Sequence, residues 1–114
     1  MSVITIHVLD TTTGKPGAGI PVGLERKTHS SGWQNIADGI TGIDGRLSDL
    51  LSAQHVFLPG HYRLTLDAGA YFLLGSVDCF FPQISISFVV KDPQQHYHIP
   101  LLLGPFGYTV YRGG

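Results

Sequence analysis

Charge is scarce in this sequence. Only 13% of the 114 residues are Asp, Glu, Lys or Arg, about half of the roughly 25% found in an ordinary soluble domain. A small chain has a large surface to cover, so the shortage predicts that part of it is buried against further copies in a homo-oligomer. Net charge is −1, with no basic cluster and no acidic tail. That removes the concentrated Lys and Arg on which nucleic acid and anionic membranes depend. Cysteine is nearly absent. The single Cys79 forbids an internal disulfide and reads as a small buried hydrophobe rather than a nucleophile. No apolar run approaches the roughly 20 residues of a membrane helix. No h-region follows Met1, so a secretory signal is not expected and the cytoplasm is the default. The ending Arg112-Gly113-Gly114 is unlike a peroxisomal Ser-Lys-Leu tail.

Catalytic signatures are mostly missing as well. There is no G-x-S-x-G elbow, no Walker loop, no H-E-x-x-H and no C-x-x-C. The 8 acidic residues are scattered singly and give no support to a paired-carboxylate glycosidase. No repeat, low-complexity tract or linker divides the chain, so residues 1–114 read as one domain.

What the sequence does have is short alternating segments. Val3 to Leu9 is rich in β-branched residues and too short for an ordinary helix. It stops at Asp10 to Pro16, a run of turn formers. Ile20 to Lys27 and Trp33 to Thr41 read as strands around a turn at His29 to Gly32, and Asp44-Gly45 is a tight-turn signal that delivers Arg46. Leu47 to Phe57 reads as loop with a short strand or turn. His61 to Asp67 alternates, with Tyr62, Leu64 and Leu66 on one side. Asp67 caps a brief helix through Tyr71 to Leu74, and Gly75 stops it. Ile84 to Lys91 is the clearest alternating strand, and Tyr97 to Leu103 with Gly107 to Arg112 form the last pair. Seven to eight short strands with turn signals between them predict an all-β, two-sheet sandwich carrying one short helix.

Histidine is the residue type left to carry chemistry, at positions 7, 29, 55, 61, 96 and 98. His7 sits mid-strand on the face of Val3, Thr5 and Leu9, opposite Ile4, Ile6 and Val8. A polar ring there must find partners or face a cavity. His96 and His98 share a strand face. They could hold zinc only with a third ligand, and neither cysteine nor a placed carboxylate supplies one. Acid–base work suits them equally, since imidazole titrates near 6.5. No metal and no cofactor are expected. His29, His55 and His61 lie in or beside turns and read as surface residues. Arg46 starts a strand just after a turn, and Arg112 lies in the closing strand with Tyr111 pointing the other way.

Several stretches then fall in order along nearly the whole chain: His7 to Pro16, Thr41 to Arg46, His61 to Leu64 with Tyr71-Phe72, and Pro82 to Phe88. The end, His96-Tyr97-His98 through Tyr108 and then Tyr111-Arg112-Gly113, is the most specific. By these motifs the sequence resembles the 5-hydroxyisourate hydrolases, the enzyme branch of the transthyretin-like family. The hormone-carrying transthyretins lack both the tyrosine-arginine-glycine ending and the histidine before it. One position departs from the pattern: those hydrolases usually end in serine where this chain has Gly114.

The resemblance implies a transthyretin-like sandwich in a homotetramer, with sites in the channel where dimers meet. It implies hydrolytic ring opening of 5-hydroxyisourate to 2-oxo-4-hydroxy-4-carboxy-5-ureidoimidazoline in urate degradation. It also implies that His7 and His98 flank the reacting centre, Arg46 holds substrate oxygen or the oxyanion, and Tyr111 lines the pocket. One histidine would activate water and the other donate to a ring nitrogen, with the order left open. The alternative is a carrier that binds a small aromatic ligand in the intersubunit channel without chemistry. The histidines and Arg46 argue against it, because a hydrophobic hormone channel does not call for them.

Overall fold

The computed structural model describes residues 3–30, 32–52 and 54–114. Its strands are β1 (Ile4–Asp10), β2 (Lys15–Pro16), β3 (Pro21–Lys27), β4 (Trp33–Ile40), β5 (Arg46–Leu47), β6 (Gly60–Asp67), β7 (Gln83–Val90), β8 (Tyr97–Leu103) and β9 (Tyr108–Val110). A single helix, α1 (Ala68–Leu74), follows β6. The strands form two sheets, β2-β1-β8-β9 with β5 added to β1, and β4-β3-β6-β7. The expected sandwich with one short helix is what forms. β5 is the short strand expected to start at Arg46, whereas β2, two residues in the stretch read as a turn, is too short to show a period.

Alternation explains the core. β1 turns Ile4, Ile6 and Val8 inward, β6 turns Tyr62, Leu64 and Leu66, and β8 turns Leu101 and Leu103. All are at most 2% exposed. The first and last long strands are neighbours: β1 and β8 run parallel, in register from Ile4↔Tyr97 to Asp10↔Leu103. Among the described residues no helix is long and apolar enough to cross a membrane.

The helix forms as its caps predict. The Asp67 carboxylate accepts from the Ala70 N–H at 2.9 Å, and the Gly75 N–H turns back to the Leu73 and Phe72 carbonyls. Tyr71 ties this helix to the other sheet by donating its hydroxyl to Asp10 Oδ2 at 2.7 Å. Asp10 is 3% exposed, and its other oxygen accepts from the Thr12 N–H at 2.8 Å. Burial first, and the Asp10 carboxylate second, push the Tyr71 phenol up to about 12. The phenol therefore keeps its proton, and the tie persists, throughout the neutral range. Tyr71→Phe removes one of two hydrogen bonds from a buried carboxylate, which should destabilise the fold by about 1–3 kcal/mol. A lower midpoint at unchanged slope in urea unfolding is the expected reading.

Candidate active site

The outward residues of one sheet gather the polar side chains. On β1 these are Thr5, His7 and Leu9, and on β8 they are His98, Pro100 and Leu102. Register places Thr5 beside His98 and His7 beside Pro100. Arg46 on β5 lies directly across from His7, so the two share that face. Beyond β9 the chain keeps to the same ladder. The Tyr111 N–H donates to the Pro100 carbonyl at 3.3 Å, and the Gly113 N–H to the His98 carbonyl at 2.7 Å. Tyr111 and Gly113 therefore fall on the histidine face, while Arg112 leaves on the other side, exposed, and stacks 4.5 Å over the Tyr97 ring.

Arg46 is delivered by a hairpin that its sequence dictates. Gly45 has φ +76° and lies so close to the Val8 carbonyl that a Cβ there would collide with it. The Arg46 carbonyl accepts from the Gly42 N–H at 2.8 Å, and the Arg46 N–H donates to Asp44 Oδ1 at 3.0 Å. Buried Thr41 anchors the base of the hairpin by donating to the Gly17 carbonyl and accepting from the Ile20 N–H.

His98 is the most constrained of the histidines. Its Nδ1 is 2.8 Å from Thr5 Oγ1, and the same oxygen is 3.1 Å from His96 Nε2. Burial holds the His98 ring below the usual imidazole range, and the nearby Arg46, His96 and His7 add to that, in this order. The ring is thus neutral at pH 7, with a lone pair available. Gly113 packs against it: a Cβ at that position would sit 2.7 Å from His98 Cδ2 and 3.1 Å from Pro100 Cγ. That contact gives a physical reason for glycine in the closing motif. Gly113→Ala should displace the ring and lower kcat by about 10–100-fold, since a shift near 1 Å can cost that much. The matching control is an unchanged circular dichroism spectrum.

Thr5, Ile6, Arg46, Ser48, His96 and His98 line a cleft of about 220 Å³ on this face. His7 flanks it through its pairing with Arg46. Tyr111, expected to line the pocket, is not in the lining of this cleft; it is 56% exposed and borders an apolar groove between the two sheets with Phe88, Ile99 and Val110. His29, His55 and His61 are exposed, away from the cluster. Among the described residues no three His, Cys, Asp or Glu side chains converge as metal ligands. A larger open depression, about 780 Å³, lies over Gly23, Asp38 and Thr65 on the other sheet. Its lining holds Asp38 and Asp67 but no histidine or arginine, whereas the smaller cleft brings imidazoles together with a cation. Reasoning from sequence missed the part of Thr5. Its signal was present, a polar residue on the same strand face as His7.

The sequence model of the HIUase/Transthyretin family matches residues 4–113. The 5-hydroxyisourate hydrolase of Salmonella dublin is 40% identical over 112 residues, covering 98% of this chain and 81% of its relative. The structure of Klebsiella pneumoniae 5-hydroxyisourate hydrolase superposes with a TM-score of 0.84 at 32% identity, over 97% of this chain and 98% of the other. Sea bream transthyretin in complex with thyroxine superposes with 0.90 at 30% identity, over 96% and 93%. With the family's sequence matched almost end to end and its fold reproduced, this chain belongs to the HIUase/Transthyretin family.

Proposed function

We propose that the chain is a 5-hydroxyisourate hydrolase of urate degradation, opening the six-membered ring at a carbonyl–nitrogen bond to give 2-oxo-4-hydroxy-4-carboxy-5-ureidoimidazoline. The observation that carries this reading is the convergence of His7, Arg46 and His98 on one sheet face. Neutral His98 takes a proton from water as the water oxygen bonds to the carbonyl carbon. The Arg46 guanidinium faces the oxygen on which negative charge grows. His7, acting as an imidazolium, gives a proton to the departing ring nitrogen as the carbonyl–nitrogen bond breaks, ends as neutral imidazole and recovers a proton from solvent. His7 and His98 are diagonal neighbours on adjacent strands, about 7–8 Å apart at Cα, which leaves room for a flat ring between them. Tyr111 is assigned to the substrate's edge by the resemblance, and its main-chain bond to Pro100, beside His7 in the register, supports that reading. No step calls for a metal or a cofactor.

Residues 1–114 act as one domain in this reading, in the cytoplasm, and four copies assemble so that the histidine face lines a channel. Leu102, Phe106 and Tyr111 leave apolar surface on and around that face, 37%, 70% and 56% exposed, which supports such an assembly. The rival carrier reading draws on the sea bream transthyretin likeness, but fold alone does not set function. A protein-to-substrate ratio of about one to a thousand separates the two, because catalysis turns over and binding saturates at one equivalent. The hydrolase reading expects faster loss of 5-hydroxyisourate absorbance under those conditions. A bulk decay rate unchanged by the protein would leave only the carrier.

A further inference from the structure

Thr5 Oγ1 lies between two imidazoles, 2.8 Å from His98 Nδ1 and 3.1 Å from His96 Nε2. Thr5 is 4% exposed, so water does not compete freely for its hydroxyl. That group has one proton and two lone pairs. It donates to one ring, and the other ring must bring its own N–H to the oxygen. Two neutral rings therefore adopt opposite senses. If His98 supplies Nδ1–H, its Nε2 carries a bare lone pair, and the Thr5 proton points to His96 Nε2.

The two ends of this bridge are unequal. The ring centroids are 6.4 Å apart, His98 is half-buried and His96 is exposed. Positive charge on His98 is opposed by burial, then by Arg46 on β5, His96 on its own segment and His7 on β1. The closing segment adds the Gly113 main chain against the ring. Water has free access to the His96 ring and not to His98.

We propose that Thr5 and His96 are positioning residues that hold His98 as its Nδ1–H tautomer and accept that proton when His98 Nε2 deprotonates water. The inference rests on the reading of His98 as the base. In the step, water gives a proton to His98 Nε2 and its oxygen bonds to the substrate carbonyl carbon. The His98 Nδ1 proton moves to Thr5 Oγ1, and the Thr5 proton moves to His96 Nε2. His98 ends neutral, Thr5 is again a hydroxyl and His96 carries the charge; when His98 Nε2 gives its proton to solvent, the two relay protons run back and restore His98 Nδ1–H.

Nitrogen-15 NMR of the histidine rings at about pH 8, where free imidazole is neutral, reads the tautomer directly. Wild type and Thr5→Ser should show His98 protonated at Nδ1, and Thr5→Val should revert to Nε2–H. In rate measurements Thr5→Val should lower kcat by about 10–100-fold with KM nearly unchanged, a share of what a positioned base contributes. His96→Ala alters an exposed side chain and should lose rate that added imidazole restores, because the free base takes over the outer end. An Nε2–H tautomer in wild type, a tautomer indifferent to Thr5→Val, or a His96→Ala defect untouched by imidazole would each overturn the triad. If wild type does not speed ring opening at all, the assigned reaction is wrong, and the tautomer still decides the triad.

Discussion

Replacing His98 with Asn is expected to slow ring opening by about 10²–10⁴-fold, the range a positioned base contributes. The loss should fall on kcat, because the ring works on water and not on the substrate's ground-state contacts. Asn keeps a polar atom within reach of Thr5 Oγ1, so that hydroxyl is not stranded, but it cannot take a proton near neutral pH. His98 points away from the core, which is built on Tyr97, Ile99, Leu101 and Leu103 of the same strand. Stability should therefore fall by no more than about 0.5–1.5 kcal/mol, the net worth of one hydrogen bond, with the fold intact. Initial rates on freshly generated 5-hydroxyisourate, beside a urea unfolding curve, check both halves. A wild-type rate in the Asn variant would remove His98 from the chemistry.

Arg46→Ala should cost about 10²–10³-fold, the usual effect of losing an oxyanion donor. The backbone around it should survive, because the hairpin is held by the Arg46 main chain and by Asp44, not by the guanidinium. A second effect separates this variant from a merely misfolded one. Arg46 is the largest charge influence holding His98 below the usual imidazole range, so its removal lets that ring protonate at higher pH. The acid limb of kcat/KM should move upward in Arg46→Ala and stay near the wild-type position in Arg46→Lys. Lys keeps the charge but not the planar fork, so its rate should remain below wild type.

Local signals in the sequence carried much of the fold. Tyr62, Leu64 and Leu66 alternate as a half-buried strand must, Asp67 and Gly75 bracket the helix, and Gly45 marks the turn that presents Arg46. What they could not show is how distant segments meet. The parallel pairing of β1 with β8 joins residues about ninety positions apart, and no local period encodes such a partner. That pairing is what sets Thr5 beside His98. Thr5 was therefore legible as a polar residue on the right face, but its bond to His98 was not. β2 escaped notice because two residues have no period, whereas β5 was legible from the Asp44-Gly45 turn that starts a strand at Arg46. Overall shape gives little help with function. The thyroxine-bound sea bream transthyretin superposes at 0.90 and the Klebsiella hydrolase at 0.84. The distinction rests on the side chains of one face.

The pH dependence of kcat/KM in the wild-type protein tests most directly the claim that neutral His98 is the base. This parameter reports groups of the free enzyme, the state in which burial, Arg46, His96 and His7 lower the His98 pKa from 6.5. A base works in its deprotonated form, so a lowered pKa keeps activity full through neutral pH and moves its loss to more acid conditions. The predicted result is an acid limb whose midpoint lies below the 6.5 of an ordinary imidazole. A limb centred at or above 6.5, or a rate that rises as pH falls through that region, would contradict the assignment.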